Sequence, residues 1–425
     1  MPNSENQPSR PTSITNFDGG TVNKPSSVRL EWIDVLRGIA ILMVILVHVG
    51  THSHVQEKSI TTFTDYGSRG VQLFFIVSAF TLFRNFTQKF NPKSFYIRRY
   101  ARIAPMFFLA LIFYAIVGYP GSKLDMWNLG GYSTYMLIIP FLHGLSPYSY
   151  NALVPGGWSV ACEFLFYYSL PFLAFFCRGF RSTLIVLCLA LIEADIWTRL
   201  YQGHLEPFFS GHASPIDLNR PIGDFINLAF FYQIPVFISG MLLVYINIDA
   251  IRHSCAKSKI LSSAVRVSPY LAAIILLAAA ASGNATLQSR MVTIFVFFFL
   301  VFSFGLSPQN LLVNKAMILI GKYSYSIYLV HFVFLDPYTK LAARWLPNLA
   351  PILQLIVVYG LVATSSYMIS MLTYRFIEAP FINLGHKLSF AVGARNRPTG
   401  NTYATTPTNR LVATASSTNP TRKSG

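Results

Sequence analysis

The segment WIDVLRGIAILMVILVH (residues 32–48) is apolar except for a few ionisable side chains. Two of these, Arg37 and His48, are 11 residues apart. At 100° per residue this spacing is three helical turns plus about 20°, with a rise of about 16 Å. The segment therefore predicts a membrane-spanning helix that carries both side chains on one face, where ionisable groups usually point into a helix bundle.

The composition of the whole chain is that of a membrane protein. Of the 425 residues, 53% are hydrophobic and 12% are charged, whereas soluble domains are about 25% charged. Apolar stretches near the length that spans a bilayer recur along the chain. We therefore predict an all-α, polytopic helical bundle in a lipid bilayer.

Ten transmembrane helices with both termini in the cytoplasm fit the charge pattern best. This topology places 25 of the 33 Lys and Arg residues on the cytoplasmic side, as the positive-inside rule requires. Residues 132–145 are short and contain Pro140 and His143, so we interpret them as a re-entrant or interfacial segment. The predicted spans are 33–50, 68–83, 103–119, 158–177, 183–201, 225–246, 268–283, 290–306, 318–336 and 352–374.

Both ends of the sequence are polar and lack long apolar stretches. We predict disordered cytoplasmic tails at residues 1–28 and 389–425, on either side of one membrane domain at residues 29–388. The net charge of +17 is spread over helix ends and tails, so it does not indicate nucleic-acid binding. The four cysteines form no CxxC pair, and no metal is expected.

Arg99 and Arg102 open the third predicted span, FYIRRYARIAP (residues 95–105). Their spacing places them on one helical face, where two guanidinium groups bind a phosphate well. Arginines at cytoplasmic helix ends are also what membrane topology requires. The spacing alone leaves both interpretations open.

Several other polar side chains lie within predicted spans. Glu163 lies inside the fourth span, and Ser324, Tyr328 and His331 form a polar stripe on the ninth. Either they line a functional chamber or they make hydrogen bonds between helices. A zinc site made of His48, His52 and His54 is a weaker alternative, because the spacing fits no common zinc motif.

Six motifs follow one another along the chain: IDVLRGIAILMVILVH (33–48), GSRGVQLFFIVSAF (67–80), Arg99 and Arg102 followed by Ile103 and Pro105, WSVACEFLFY (158–167), SYSIYLVHF (324–332) and YRFIEAPF (374–381). This ordered set resembles the membrane acyltransferase-3 family. Within these motifs Gln72 stands where the family usually has Asp, and Ala79 stands where it usually has Gly.

The resemblance implies an enzyme that transfers an acyl group, usually acetyl, from cytoplasmic acyl-CoA to a carbohydrate hydroxyl. It implies catalytic roles for Arg37, His48 and Glu163, and handling of the CoA donor by Arg99 and Arg102. It further implies a bacterial plasma-membrane protein that works with polysaccharide synthesis or export machinery. The competing hypothesis is a transporter or channel in which the buried ionisable groups form a proton or solute path.

Overall fold

A computed structural model of the protein describes residues 30–53, 55, 57–88, 91–118, 136–151, 154–210, 222–284 and 289–395. These residues are helical with short connections, and seven helical segments among them are long and apolar enough to cross a membrane. The predicted all-α, polytopic membrane fold is confirmed. The α-helices are Glu31–His52 (α1), Lys58–Asp65 (α2), Gly70–Gln88 (α3), Pro92–Val117 (α4), Gly157–Phe176 (α5), Phe180–Leu200 (α6), Glu206–Ser210 (α7), Phe225–Leu228 (α8), Phe230–Leu243 (α9), Ile248–Ala256 (α10), Lys259–Ala281 (α11), Arg290–Leu306 (α12), Lys315–Lys322 (α13), Ser324–Val330 (α14), Phe332–Trp345 (α15), Pro351–Thr373 (α16) and Ala379–Arg395 (α17).

Polar side chains determine where several helices begin. Helix α4 begins after Asn91, whose side chain accepts a hydrogen bond from the Ser94 backbone N–H, and Pro92 occupies its first turn. Asn314 caps α13 in the same way through the N–H of Met317. These caps satisfy N–H groups that have no partner within the helix, and Pro is suited to the first helical position.

Helix α1 lies in the middle of the bundle and contacts α3, α13, α14, α15 and α16. Its approach to α13 is close because both helices carry glycine at the contact. A Cβ atom at Gly321 would lie 1.7 Å from the carbonyl oxygen of Asp34, and one at Gly38 would lie 2.9 Å from that of Met317. Small residues let membrane helices pack backbone against backbone, so this glycine contact fixes α1 against α13.

We expect Gly38→Ala to lower the free energy of unfolding by about 1–3 kcal/mol, because overpacking forces the two backbones apart. Gly360→Ala in α16 is the matched control, since a Cβ atom there meets no atom within 4 Å. The control should be neutral or slightly stabilising, as alanine favours a helix over glycine. Thermal unfolding of both variants in detergent checks this, and an equal change in the two would contradict it.

The ninth predicted span, 318–336, is not one continuous helix. It consists of α13, α14 and α15, with breaks at Tyr323 and His331. Tyr323 leaves helical geometry with φ −95° and ψ 4°, directly after the close contact of Gly321 with α1. The periodic pattern predicted helix correctly but could not show the breaks.

The predicted start of the C-terminal tail at residue 389 is wrong, because α17 continues to Arg395. Ser389 is buried, and its carbonyl oxygen accepts a hydrogen bond of 3.0 Å from the Ser94 hydroxyl. Packing against α4 therefore extends the helix.

The N-terminal tail, residues 1–28, lies outside the described residues. So do residues 132–135, whereas 136–145 contain an α-helical turn at 136–138, short turns and the 3₁₀ helix His143–Leu145.

Candidate functional site

Three arginines and one glutamate from different helices line a narrow cavity of about 100 Å³. Helix α1 provides Arg37, α4 provides Arg99 and Arg102, and α5 provides Glu163. The structure thus brings together residues that the sequence separates by up to 126 positions. The full lining is Arg37, Val71, Phe74, Phe75, Ser78, Arg99, Arg102, Ile103, Ser159, Val160, Glu163, Tyr167, Ser324, Tyr325 and Tyr328.

The Arg37 guanidinium is partly neutralised by its own helix. Its Nη1 atom lies 3.2 Å from Oδ1 of Asp34, one turn earlier, and the Arg37 side chain is 22% exposed. The charges of Arg102, Glu163 and Arg99 also act on it. Asp34 holds the Arg37 side chain at the cavity while leaving part of the guanidinium free for another partner.

Arg99 and Arg102 form no ion pair with any carboxylate in the described residues. The Arg99 guanidinium carbon lies 5.8 Å from the centre of the Phe95 ring, and its buried Nε atom has no hydrogen-bond partner within the described part of the chain. Buried guanidinium groups are normally paired. Because Glu163 is the only carboxylate among the described residues of the lining, the cavity has an excess of positive charge and suits an anion.

Glu163 is held by two hydroxyl groups. Its Oε1 atom accepts hydrogen bonds of 2.6 Å from Ser78 on α3 and 2.5 Å from Tyr167 on α5. Hydrogen bonds to an ionised carboxylate are about twice as strong as neutral ones. Glu163 therefore links α3 to α5 beneath the arginines, and its hydrogen bonds do not involve His48.

We expect Glu163→Gln to lower the free energy of unfolding by about 1–3 kcal/mol, because two charge-assisted hydrogen bonds lose their charged acceptor. The matched control is Glu57→Gln, where the exposed carboxylate accepts a hydrogen bond of 2.7 Å from Ser59. The control should stay within about 0.5 kcal/mol of wild type, as is usual for surface positions. Chemical denaturation in detergent measures both, and an unchanged Glu163→Gln would show that these hydrogen bonds do not support the bundle.

Tyr328 closes the cavity on the side of α14. Its hydroxyl donates a hydrogen bond of 2.8 Å to the Gly156 carbonyl oxygen and accepts one of 2.8 Å from Ser159. Gly156 has a φ of 75°, and a Cβ atom there would lie 2.5 Å from the Tyr328 hydroxyl oxygen. Because the Tyr328 hydroxyl both donates and accepts a hydrogen bond within the protein, Tyr328 only bounds the cavity. Ser324 lies one turn earlier on the same face of the helix.

His48 and His331 lie together beyond Tyr328. The centres of their rings are 5.2 Å apart, and the His331 ring centre is 6.0 Å from that of Tyr328. Nearer the end of α1, Nδ1 of His52 donates a hydrogen bond of 2.8 Å to the His48 carbonyl oxygen. His54, the third histidine of the zinc alternative, lies outside the described residues.

Three polar residues near the cavity were not predicted as site residues. Tyr167 follows Glu163 by one helical turn, so helical spacing could have indicated it. Ser78 contacts Glu163 from another helix, which no local pattern shows. Glu378, buried in the π-helical turn Tyr374–Glu378, accepts a hydrogen bond from Ser326.

The site therefore has two parts with different chemistry. The cavity offers guanidinium groups that bind anionic oxygens. The histidine pair offers two imidazoles, groups that transfer protons near neutral pH. Tyr328 lies between the two parts, and α1 contributes one residue to each.

Comparison with known proteins agrees with the motifs. A family model described as an acyltransferase domain matches residues 30–371. Acyltransferase MdmB of Streptomyces mycarofaciens is 30% identical over 156 residues, which cover 35% of this chain and 40% of that protein. No solved structure matches.

Proposed function

The chain belongs to the acyltransferase family whose domain matches residues 30–371, and from this premise we propose that it is an integral membrane O-acyltransferase. In this proposal an acyl group, acetyl by default, moves from cytoplasmic acyl-CoA to a hydroxyl of a carbohydrate. The acceptor is a surface or exported polysaccharide or a glycolipid. The protein acts in the plasma membrane of a bacterium, alongside polysaccharide synthesis or export machinery.

One observation carries the proposal: Arg37, Arg99 and Arg102 converge on one cavity, and α1 leads from that cavity to His48. An acyl-CoA donor is a polyanion whose thioester lies at the end of a long flexible arm. Arginines suit its phosphates, and the half-buried imidazole of His48 suits the chemistry at its reactive end.

The donor phosphates lie near Arg99 and Arg102 at the cytoplasmic side of the bundle, as we propose. Neither side chain has a carboxylate partner among the described residues, so neither must leave a protein ion pair to bind the ligand. Arg37, one helix away, faces the same cavity. The donor arm then runs along α1 over the rise of about 16 Å that separates Arg37 from His48.

His48 acts in one of two ways. It takes the proton of the acceptor hydroxyl as the hydroxyl oxygen attacks the thioester carbon. Alternatively it takes the acyl group itself and passes it to the hydroxyl oxygen in a second step. In both cases the carbon–sulfur bond breaks, its electron pair goes to sulfur, and the products are an ester and the free thiol of CoA.

The experiment that tests the proposal has two parts. Purified protein in detergent should bind acetyl-CoA in a calorimetric titration. Deletion of the gene should remove O-acetyl groups from surface or exported glycans, measured by NMR or mass spectrometry. A transporter or channel would not bind acetyl-CoA, so absence of binding together with unchanged O-acetylation would overturn the proposal.

A further inference from the structure

His331 occupies the break between α14 and α15 and is completely buried, with 0% exposure. Its Nδ1 atom lies 3.1 Å from the carbonyl oxygen of Ile327. Because a carbonyl oxygen only accepts hydrogen bonds, Nδ1 must carry the hydrogen. The neutral ring therefore has its free electron pair on Nε2, the form of imidazole that accepts a proton.

The Nε2 atom of His331 is enclosed and has no hydrogen-bond partner among the described residues. Buried polar atoms nearly always have a partner, and each exception needs an explanation. A buried nitrogen that can accept a hydrogen bond needs an O–H or N–H donor next to it. The chemistry of this position thus fits a hydroxyl, from an alcohol or from water.

The surroundings of His331 narrow the choice of partner. The rings of His48 and Phe332 lie 5.2 Å and 4.1 Å from its own, centre to centre. The nearby Tyr328 hydroxyl is not available, because it donates its hydrogen to Gly156. The ring that carries the unpartnered nitrogen therefore lies beside the imidazole that we place at the reacting end of the donor.

We propose that His331 is a second catalytic residue of the acyl transfer and that its Nε2 holds the acceptor hydroxyl. This inference rests on the proposed function and refines the first of the two routes given there: the acceptor proton reaches His48 through His331 and not directly. As the hydroxyl oxygen bonds to the acyl carbon, Nε2 takes the hydroxyl proton and the carbon–sulfur bond breaks. The proton then passes through His48 to the thiolate of CoA, which leaves both imidazoles neutral.

The test compares His331→Gln with His143→Gln in a gene-deleted strain. Glutamine keeps an amide in place of the ring but cannot take a proton at neutral pH. His143 is the matched control, since it is 2% exposed, its Nε2 lies 3.2 Å from the Gly157 carbonyl oxygen, and its Nδ1 also has no partner. Its ring packs near Phe107 and Phe141 instead of near His48.

We expect His331→Gln to lower glycan O-acetylation by about 10²-fold or more, the contribution of a general base, while His143→Gln stays near wild type. Acetyl-CoA affinity of the purified His331→Gln protein should change by less than about threefold, because donor binding depends on other residues. The rate of acetyl-CoA hydrolysis in the absence of a carbohydrate acceptor shows whether Nε2 binds only the acceptor alcohol or also a water molecule. In His331→Gln this rate falls together with the rate of acyl transfer if Nε2 also activates water. It stays unchanged if Nε2 binds only the alcohol.

Wild-type O-acetylation by His331→Gln would overturn the inference and leave the proposed function intact. An equal loss in His143→Gln would overturn it too, by showing that any buried histidine of the bundle matters. His331→Asn, which keeps a donor for the Ile327 carbonyl, replaces His331→Gln if that variant does not fold. If neither folds while His143→Gln does, His331 is a packing residue. Failure of the wild-type protein to bind acetyl-CoA would instead contradict the proposed function.

Discussion

Replacing His48 by alanine is expected to lower acyl transfer about 10²- to 10⁴-fold, the usual contribution of a general acid or base. His48 lies one turn before the end of α1, and its ring contacts His331 and Phe332. The variant should still insert and fold, because His48 is only half-buried and alanine favours a helix. Glycan O-acetylation in a complemented deletion strain measures the loss.

The matched control for this loss is His253→Ala, an exposed histidine on α10. It should keep wild-type O-acetylation, since surface substitutions away from a site are usually neutral. Membrane-fraction immunoblots show whether both variants accumulate equally. Wild-type O-acetylation by a normally inserted His48→Ala protein would remove His48 from the mechanism.

Replacing Arg99 and Arg102 together by alanine is expected to weaken acetyl-CoA binding by about 10²-fold or more. A hydrogen bond to a charged group contributes about 1.5–3 kcal/mol, which is about one to two powers of ten in affinity for each arginine. Lysine at both positions should recover part of the affinity, because it keeps the charge but not the two-point geometry. Isothermal titration calorimetry in detergent measures the three proteins.

Lys93→Ala is the control for the arginine pair, as Lys93 is an exposed cation near the start of the same helix, α4. Its removal should leave acetyl-CoA binding unchanged in moderate salt, which screens exposed charges. If Lys93→Ala weakens binding as much as the arginine pair does, general positive charge and not the cavity attracts the donor. Unchanged binding after loss of both arginines would place the donor elsewhere.

Much of the cavity could be predicted from the sequence because its key residues follow helical spacing. Arg99 and Arg102 were predicted on one face of a helix, and both line the cavity. Arg37 and His48 were predicted on one helix, and both lie on α1. Helical periodicity and the high free-energy cost of a charge in a membrane were sufficient to predict these residues from the sequence.

The contacts between distant segments could not be predicted in the same way. The hydrogen bond from Ser78 to Glu163 joins two helices 85 residues apart, and nothing in either segment indicates the other. The break at Tyr323 comes directly after α13 meets α1 at Gly321, a tertiary contact that the local sequence pattern does not show. The buried position of Glu378 likewise depends on a π-helical turn that hydrophobic periodicity does not reveal.

The glycine contact between α1 and α13 also limits how substrates reach the histidines. With the Asp34 carbonyl oxygen only 1.7 Å from where a Cβ atom of Gly321 would stand, no lipid tail or sugar can pass between these helices. The close packing of the two backbones also resists sliding of one helix along the other, so α1 and α13 form one rigid unit. An acceptor anchored in the bilayer must therefore reach the histidines by a path that does not run between α1 and α13.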